Sequence, residues 1–114
     1  MPSAFPDKPQ HGGVRIDPIE EILVNKLTAA LSRSEERDLV DLLYLERAGY
    51  RAEQALTAAL AKDGGCTPAA LAWVLSQVNV PEDAALPGGI SGREMRAFLA
   101  DLVRRLRAAA MPAR

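Results

Sequence analysis

Between Ser91 and Ala110 the apolar side chains Met95, Phe98, Leu99, Leu102, Val103 and Leu106 recur three and four positions apart. Arg93, Arg96, Arg104, Arg105 and Arg107 occupy the other sides. That spacing gives a helix one core-facing stripe, and Ser91 with Glu94 three residues on is the capping box that starts it. The same reasoning predicts four helices upstream. Asp17 as cap, Pro18 at the first helical position and Glu20 three residues after the cap open a helix over about 18–32. Ser34 is expected to cap a second helix, with Glu35 and Glu36 at the positive end of its dipole and Gly49 just past its end at Ala48. A third covers about 51–62 and stops at Asp63-Gly64-Gly65; Thr67-Pro68 opens a fourth, to about Val78. NVPEDAALPGGI, 79–90, reads as a loop. No segment alternates as a strand would. The expected fold is all-α, a small bundle of about five helices forming one domain over 14–110, with VRI at 14–16 as a short extended lead-in. Residues 1–13, with three prolines and a Gly-Gly pair, are expected to be a flexible arm.

The pattern breaks on the first two helices. Stepping by three and four from Ile19 passes through Ile22, Leu23, Lys26, Leu27 and Ala30, which puts a lysine inside an apolar stripe. On the second helix Asp38 and Asp41 share a stripe with Leu42, Leu45 and Ala48. An unpaired charge in a core costs several kcal/mol, on the order of 3–5 where a buried pair is broken, so these groups must pair or line a solvated cleft. A short connection makes the two helices antiparallel neighbours, which brings Lys26 to the Asp38/Asp41 side, with Arg37 closing the cluster from the rim. Two readings follow. One is a salt bridge that fixes the register of a helical hairpin, the commoner case; the other is a cleft in which Lys26 faces a phosphate.

Composition narrows the chemistry. The 114 residues are 48% hydrophobic and 25% charged with a net charge of −1, so there is no general electrostatic pull toward nucleic acid or membrane. Cys66 is the only cysteine and His11 the only histidine, which argues against a disulfide, a cysteine-based metal site and a Ser-His-Asp triad. No signal-peptide core and no apolar run near the length of a membrane span is present, so a cytoplasmic protein is expected. The arginines of the last helix raise an RNA-binding reading. A solvated face is favoured over it, because no aromatic residues interleave with them. Trp73, in AALAWVLSQV, is expected in the core, and Cys66 as an inert small residue despite its place near a helix start.

The stretch EEILVNKLTAALSRSEERDLVDLLYL resembles the AbiEii-type nucleotidyltransferase toxins of abortive-infection systems. Members of that family look like E-x-x-x-x-x-K-x-x-A-x-x-x-R-x-x-x-R-D-x-x-D-L here. The pattern falls on Glu20 or Glu21, Lys26, Ala29 or Ala30, Arg33, Arg37, Asp38, Asp41 and Leu42, within a resemblance that covers about residues 14–60. It implies a helical part that completes a nucleotidyl-transfer site. Lys26, Asp38 and Asp41 would be its catalytic residues, and Arg33 and Arg37 would bind substrate. The family's other half carries a G-G/S-T type turn and a D-x-D pair that hold Mg²⁺ and the NTP; neither motif occurs in this chain. The expectation is therefore a stand-alone or truncated helical module that lacks the metal-binding half and is inactive alone, one that uses Mg²⁺ and NTP only if another chain supplies a catalytic half, or else a degenerate remnant. Its partners would be that protein or further copies of itself, and a non-enzymatic dimerisation module is the alternative.

Overall fold

Each helix start has a chemical reason, and the starts set the architecture. In the computed structural model, which describes residues 18–111, α1 (Pro18–Ser32) opens on proline with Glu20 and Glu21 in its first turn, where the positive end of the dipole favours them. Helix α2 spans Glu36–Arg47, and a 3-10 turn at Ala52–Ala55 runs straight into α3, Leu56–Lys62. Helix α4, Pro68–Ser76, is capped by Thr67, whose hydroxyl accepts from the Ala70 N–H at 3.0 Å. Helix α5, Gly92–Ala110, begins with the Ser91/Glu94 capping box, both halves of which are formed. Among the described residues there is no strand, only an antiparallel bridge between Ala85 and Ser91. The protein is all-α, with five α-helices among the described residues.

The second helix does not start as expected. Ser34 lies in the left-handed region at φ 49°, and its hydroxyl donates back to the Ala30 carbonyl of α1. It therefore closes α1 rather than capping α2; the residue before α2 is Glu35, whose side chain makes no cap bond. At the far end Gly49 has φ 102° and its N–H reaches Glu46 O at 3.0 Å, while the Tyr50 N–H reaches Leu45 O at 3.0 Å. These two bonds form a Schellman motif. Helix α4 ends two residues before the expected Val78. The expected arm at 1–13, the lead-in at 14–16 and the Asp17 cap lie outside the described residues.

Helix α1 is the central element and packs against α2, α3 and α4, while α4 lies along α5. The core is leucine-rich: Leu23 and Leu27 of α1, Leu39 and Leu42 of α2, Leu71 and Leu75 of α4, and Leu102 and Leu106 of α5 are all nearly inaccessible. Of the predicted α5 stripe, Met95, Leu99, Leu102, Val103 and Leu106 are buried, and Phe98 packs partly against them. The loop before α5 is fixed by a backbone approach at Gly92. Its N–H donates to Ala84 O at 2.8 Å, and a Cβ on it would sit 1.8 Å from the Pro81 carbonyl oxygen.

Candidate functional site

A three-residue link, 33–35, folds α2 back along α1 and brings their charged positions together. The Lys26 ammonium lies 2.7 Å from Asp41 Oδ2 and 3.5 Å from Asp38 Oδ1. Arg33 donates through Nε to Asp38 Oδ2 at 3.2 Å. The Asp38 side chain is 4% exposed, so its two oxygens are held in the interior by two different cations. The Lys26 and Asp41 side chains remain 26% and 41% exposed. The cluster is thus sealed at Asp38 and open at Asp41.

The phases of the two stripes explain that asymmetry. Buried α1 positions are Leu23, Val24, Leu27 and Ala30, whereas Ile22 is exposed. The stripe is rotated away from Ile22, so Lys26 sits at its edge and not at its centre. On α2 the buried set is Asp38, Leu39, Val40, Leu42 and Leu43; Ala48, assigned to the stripe from spacing, is exposed. Asp38 alone is drawn fully inside. Outward from the bridge, Ile22, Lys26, Asp41, Tyr44 and Leu45 line a shallow open groove of about 330 Å³.

Of the five residues singled out in the sequence, the fold joins Lys26, Asp38, Asp41 and Arg33. It does not join Arg37, which is exposed and takes part in no ion pair among the described residues. Arg33 closes the cluster in its place. Arg37 precedes the buried run 38–40 by one residue, and the step of roughly 100° leaves it on the exposed side of that run.

The hydrogen bond from Lys26 to Asp41 raises the lysine pKa, against the opposing effect of burial, and both aspartates add to the rise. The ammonium is a fixed positive charge near neutral pH. The donor set does not suit Mg²⁺: a hard cation needs several free carboxylate oxygens, and here three of the four already face a cation. What the arrangement offers is a compact cation on the floor of an open groove, steadied from beneath by a buried carboxylate.

Elsewhere two residues, Arg105 and Trp73, depart from expectation, and a third, Cys66, agrees with it. Arg105, assigned to the solvated basic face, is 10% exposed and bonds Glu46 at 2.6 Å, Glu53 at 2.5 Å and Asp101 at 2.9 Å. Trp73, expected in the core, is 66% exposed: α4 buries Leu71, Ala72 and Leu75 and turns the indole outward. Cys66 is fully buried, and burial pushes its thiol pKa up rather than down, as an inert core residue requires.

A helical domain with a cation–carboxylate cluster between its first two helices is the class of protein these features define. The family model described as nucleotidyl transferase AbiEii toxin, type IV TA system, matches residues 1–113. The chain belongs to this family, and the match extends well past the segment in which the resemblance is legible by eye. No curated protein and no solved structure gives a match. None of the described helices is long and apolar enough to cross a membrane.

Proposed function

We propose that this chain supplies the helical wall of a nucleotidyl-transfer cleft, with Lys26 as its phosphate-binding cation. The observation that carries the reading is the open side of the cluster. Lys26 is held by the buried Asp38 but faces a groove together with the half-exposed Asp41. In such a transfer an acceptor oxygen attacks the α-phosphorus of an NTP, the bond to the β-phosphate breaks and pyrophosphate leaves. Lys26 would offset phosphate charge as that bond breaks, and its exchange of Asp41 for a phosphate oxygen keeps the ammonium paired throughout. Asp38 and Arg33 are positioning residues that hold Lys26 in place. Asp41, the more open carboxylate, is placed to accept the acceptor's proton, and Arg37 on the outer face is placed to meet substrate beyond the groove. The metal-binding carboxylates come from outside the described residues. Membership of a type IV toxin–antitoxin family supports an antitoxin or oligomeric partner.

Titration of the isotopically labelled chain with an NTP, followed by NMR, tests this. Shifts confined to Lys26, Asp41 and Tyr44, and lost in a folded Lys26→Met variant, are expected. Absence of any change at Lys26 at millimolar nucleotide overturns the assignment. Incubation with labelled NTP and Mg²⁺ is expected to give no label transfer by the chain alone, and robust transfer would refute its catalytic incompleteness. A second reading, in which the cluster is only a clasp between α1 and α2 in an interaction module, draws on the complete pairing of Asp38. It predicts no nucleotide effect at all.

A further inference from the structure

Helix α5 and the end of α4 present a different surface. Arg96, Arg104 and Arg107 fall on one face of α5 and line a groove of about 470 Å³ against the end of α4 and residues 78–80. At about 1.5 Å of rise per residue they cover roughly 16 Å. Among the described residues Arg96 and Arg107 take part in no ion pair, Arg104 is engaged only by Asp101, and no acidic residue lines the groove. Across the Val78-Asn79-Val80 segment lies a second hollow, which shares that segment as a wall and is lined by Trp73. Glu36 is the one acid that lines it. An exposed indole therefore stands beside a track of guanidinium groups of which Arg104 alone is paired. Spacing along the chain hides that combination, because it assigns Trp73 to the core.

We propose that this α4–α5 face binds single-stranded nucleic acid, with the three arginines on backbone phosphates and a base stacked on Trp73. Guanidinium forks match phosphate oxygens, and an exposed aromatic ring gives a base a stacking platform. A peptide partner would need apolar surface for its anchors, but the floor residues Leu75, Leu99 and Val103 are almost fully buried and offer little. The site is distinct from the Lys26 cluster and does not rest on its function.

Trp73 is the only tryptophan, so its fluorescence reports on this face directly. The full chain is titrated with short oligo-dT and oligo-rU at low salt, with anisotropy of a labelled oligonucleotide as a second readout. Quenching is expected, with a log–log salt slope of about −2, from three phosphates at roughly 0.7 each. Charge reversal at Arg96, Arg104 and Arg107 together is expected to weaken binding at least tenfold with helix content unchanged. Trp73→Leu is expected to weaken it about five- to hundredfold, and Trp73→Phe to restore most of the loss. Tighter binding of oligo-rU than oligo-dT identifies RNA as the ligand, and the reverse identifies DNA. The proposal is overturned by absence of binding, by binding that the arginine reversal leaves unchanged, or by poly-glutamate quenching Trp73 at the affinity of the oligonucleotides.

Discussion

Asp38 is a carboxylate in the interior with two cations on it, and this decides how the cluster responds to substitution. Were Lys26 its only counter-ion, Lys26→Met would leave a buried charge unpaired and cost about 3–5 kcal/mol. Arg33 still holds Asp38 Oδ2, and Asp41 is open enough to be hydrated. Lys26→Met is therefore expected to cost only about 1 kcal/mol, as chemical denaturation would show. The Lys26→Met/Arg33→Met double variant strips Asp38 of both partners and is expected to lose more than the two single changes together; additive losses would mean that the cations do not share the carboxylate. The pH dependence has a definite sign. Because the folded lysine pKa is raised, the bridge's contribution is fully present below the unfolded value of about 10.4 and fades as pH rises through the higher folded value. A ¹³C titration of Lys26 should place its midpoint above that of an unfolded lysine, and Asp41→Asn should bring it down.

Gly92 shows at the level of an element how one backbone position holds a loop against a helix. A Cβ there would meet the Pro81 carbonyl oxygen at 1.8 Å, so Gly92→Ala must push the 81–84 turn away from the start of α5. The expected loss is about 3 kcal/mol or more. Gly64, where an added methyl would find no atom within 4 Å, is the control: Gly64→Ala is expected to be neutral or to stabilise by about 0.4–1 kcal/mol. Thermal melts of the two variants check both. Most element ends are legible in the sequence because their causes are local: Thr67 before Pro68, Ser91 with Glu94, Gly49 after α2. Ser34 departs from expectation for a reason equally local in kind. A serine between two helices can cap the second or close the first, and here the left-handed turn closes α1. The Lys26–Asp38/Asp41 contact is legible because a three-residue link leaves the hairpin few registers. Which charge would be buried is not, since that depends on how the rest of the bundle covers the pair.

Across the whole molecule the sequence pattern runs out, because periodicity along one helix does not say which neighbour covers it. Trp73 and Arg105 are the two cases, and each faces the opposite way from its residue type. Helix α4 is apolar on nearly every side, so no stripe along it tells which face is covered; α5 has a legible stripe whose flank at Arg105 is covered by acids of other elements. Arg105 shows the consequence. It joins the C-terminal helix to Glu46 on α2 and to Glu53 in the 3-10 turn, residues 59 and 52 positions away in sequence. Glu46 also accepts the Ala52 N–H through its other oxygen at 3.0 Å, so one guanidinium and one carboxylate fasten three elements together. A surface arginine in an i, i+4 pair with Asp101 would contribute a few tenths of a kcal/mol. Arg105, itself nearly buried and with Glu46 and Glu53 largely shielded from solvent, should contribute far more. Arg105→Met keeps much of the side-chain volume and leaves Glu46 and Glu53 facing each other without a cation, with an expected cost of about 3 kcal/mol. Arg104→Met, on the same helix but 72% exposed, is the internal comparison, and it should leave the unfolding midpoint almost unchanged. Equal effects at the two positions would mean that α5 is held by its leucine stripe alone.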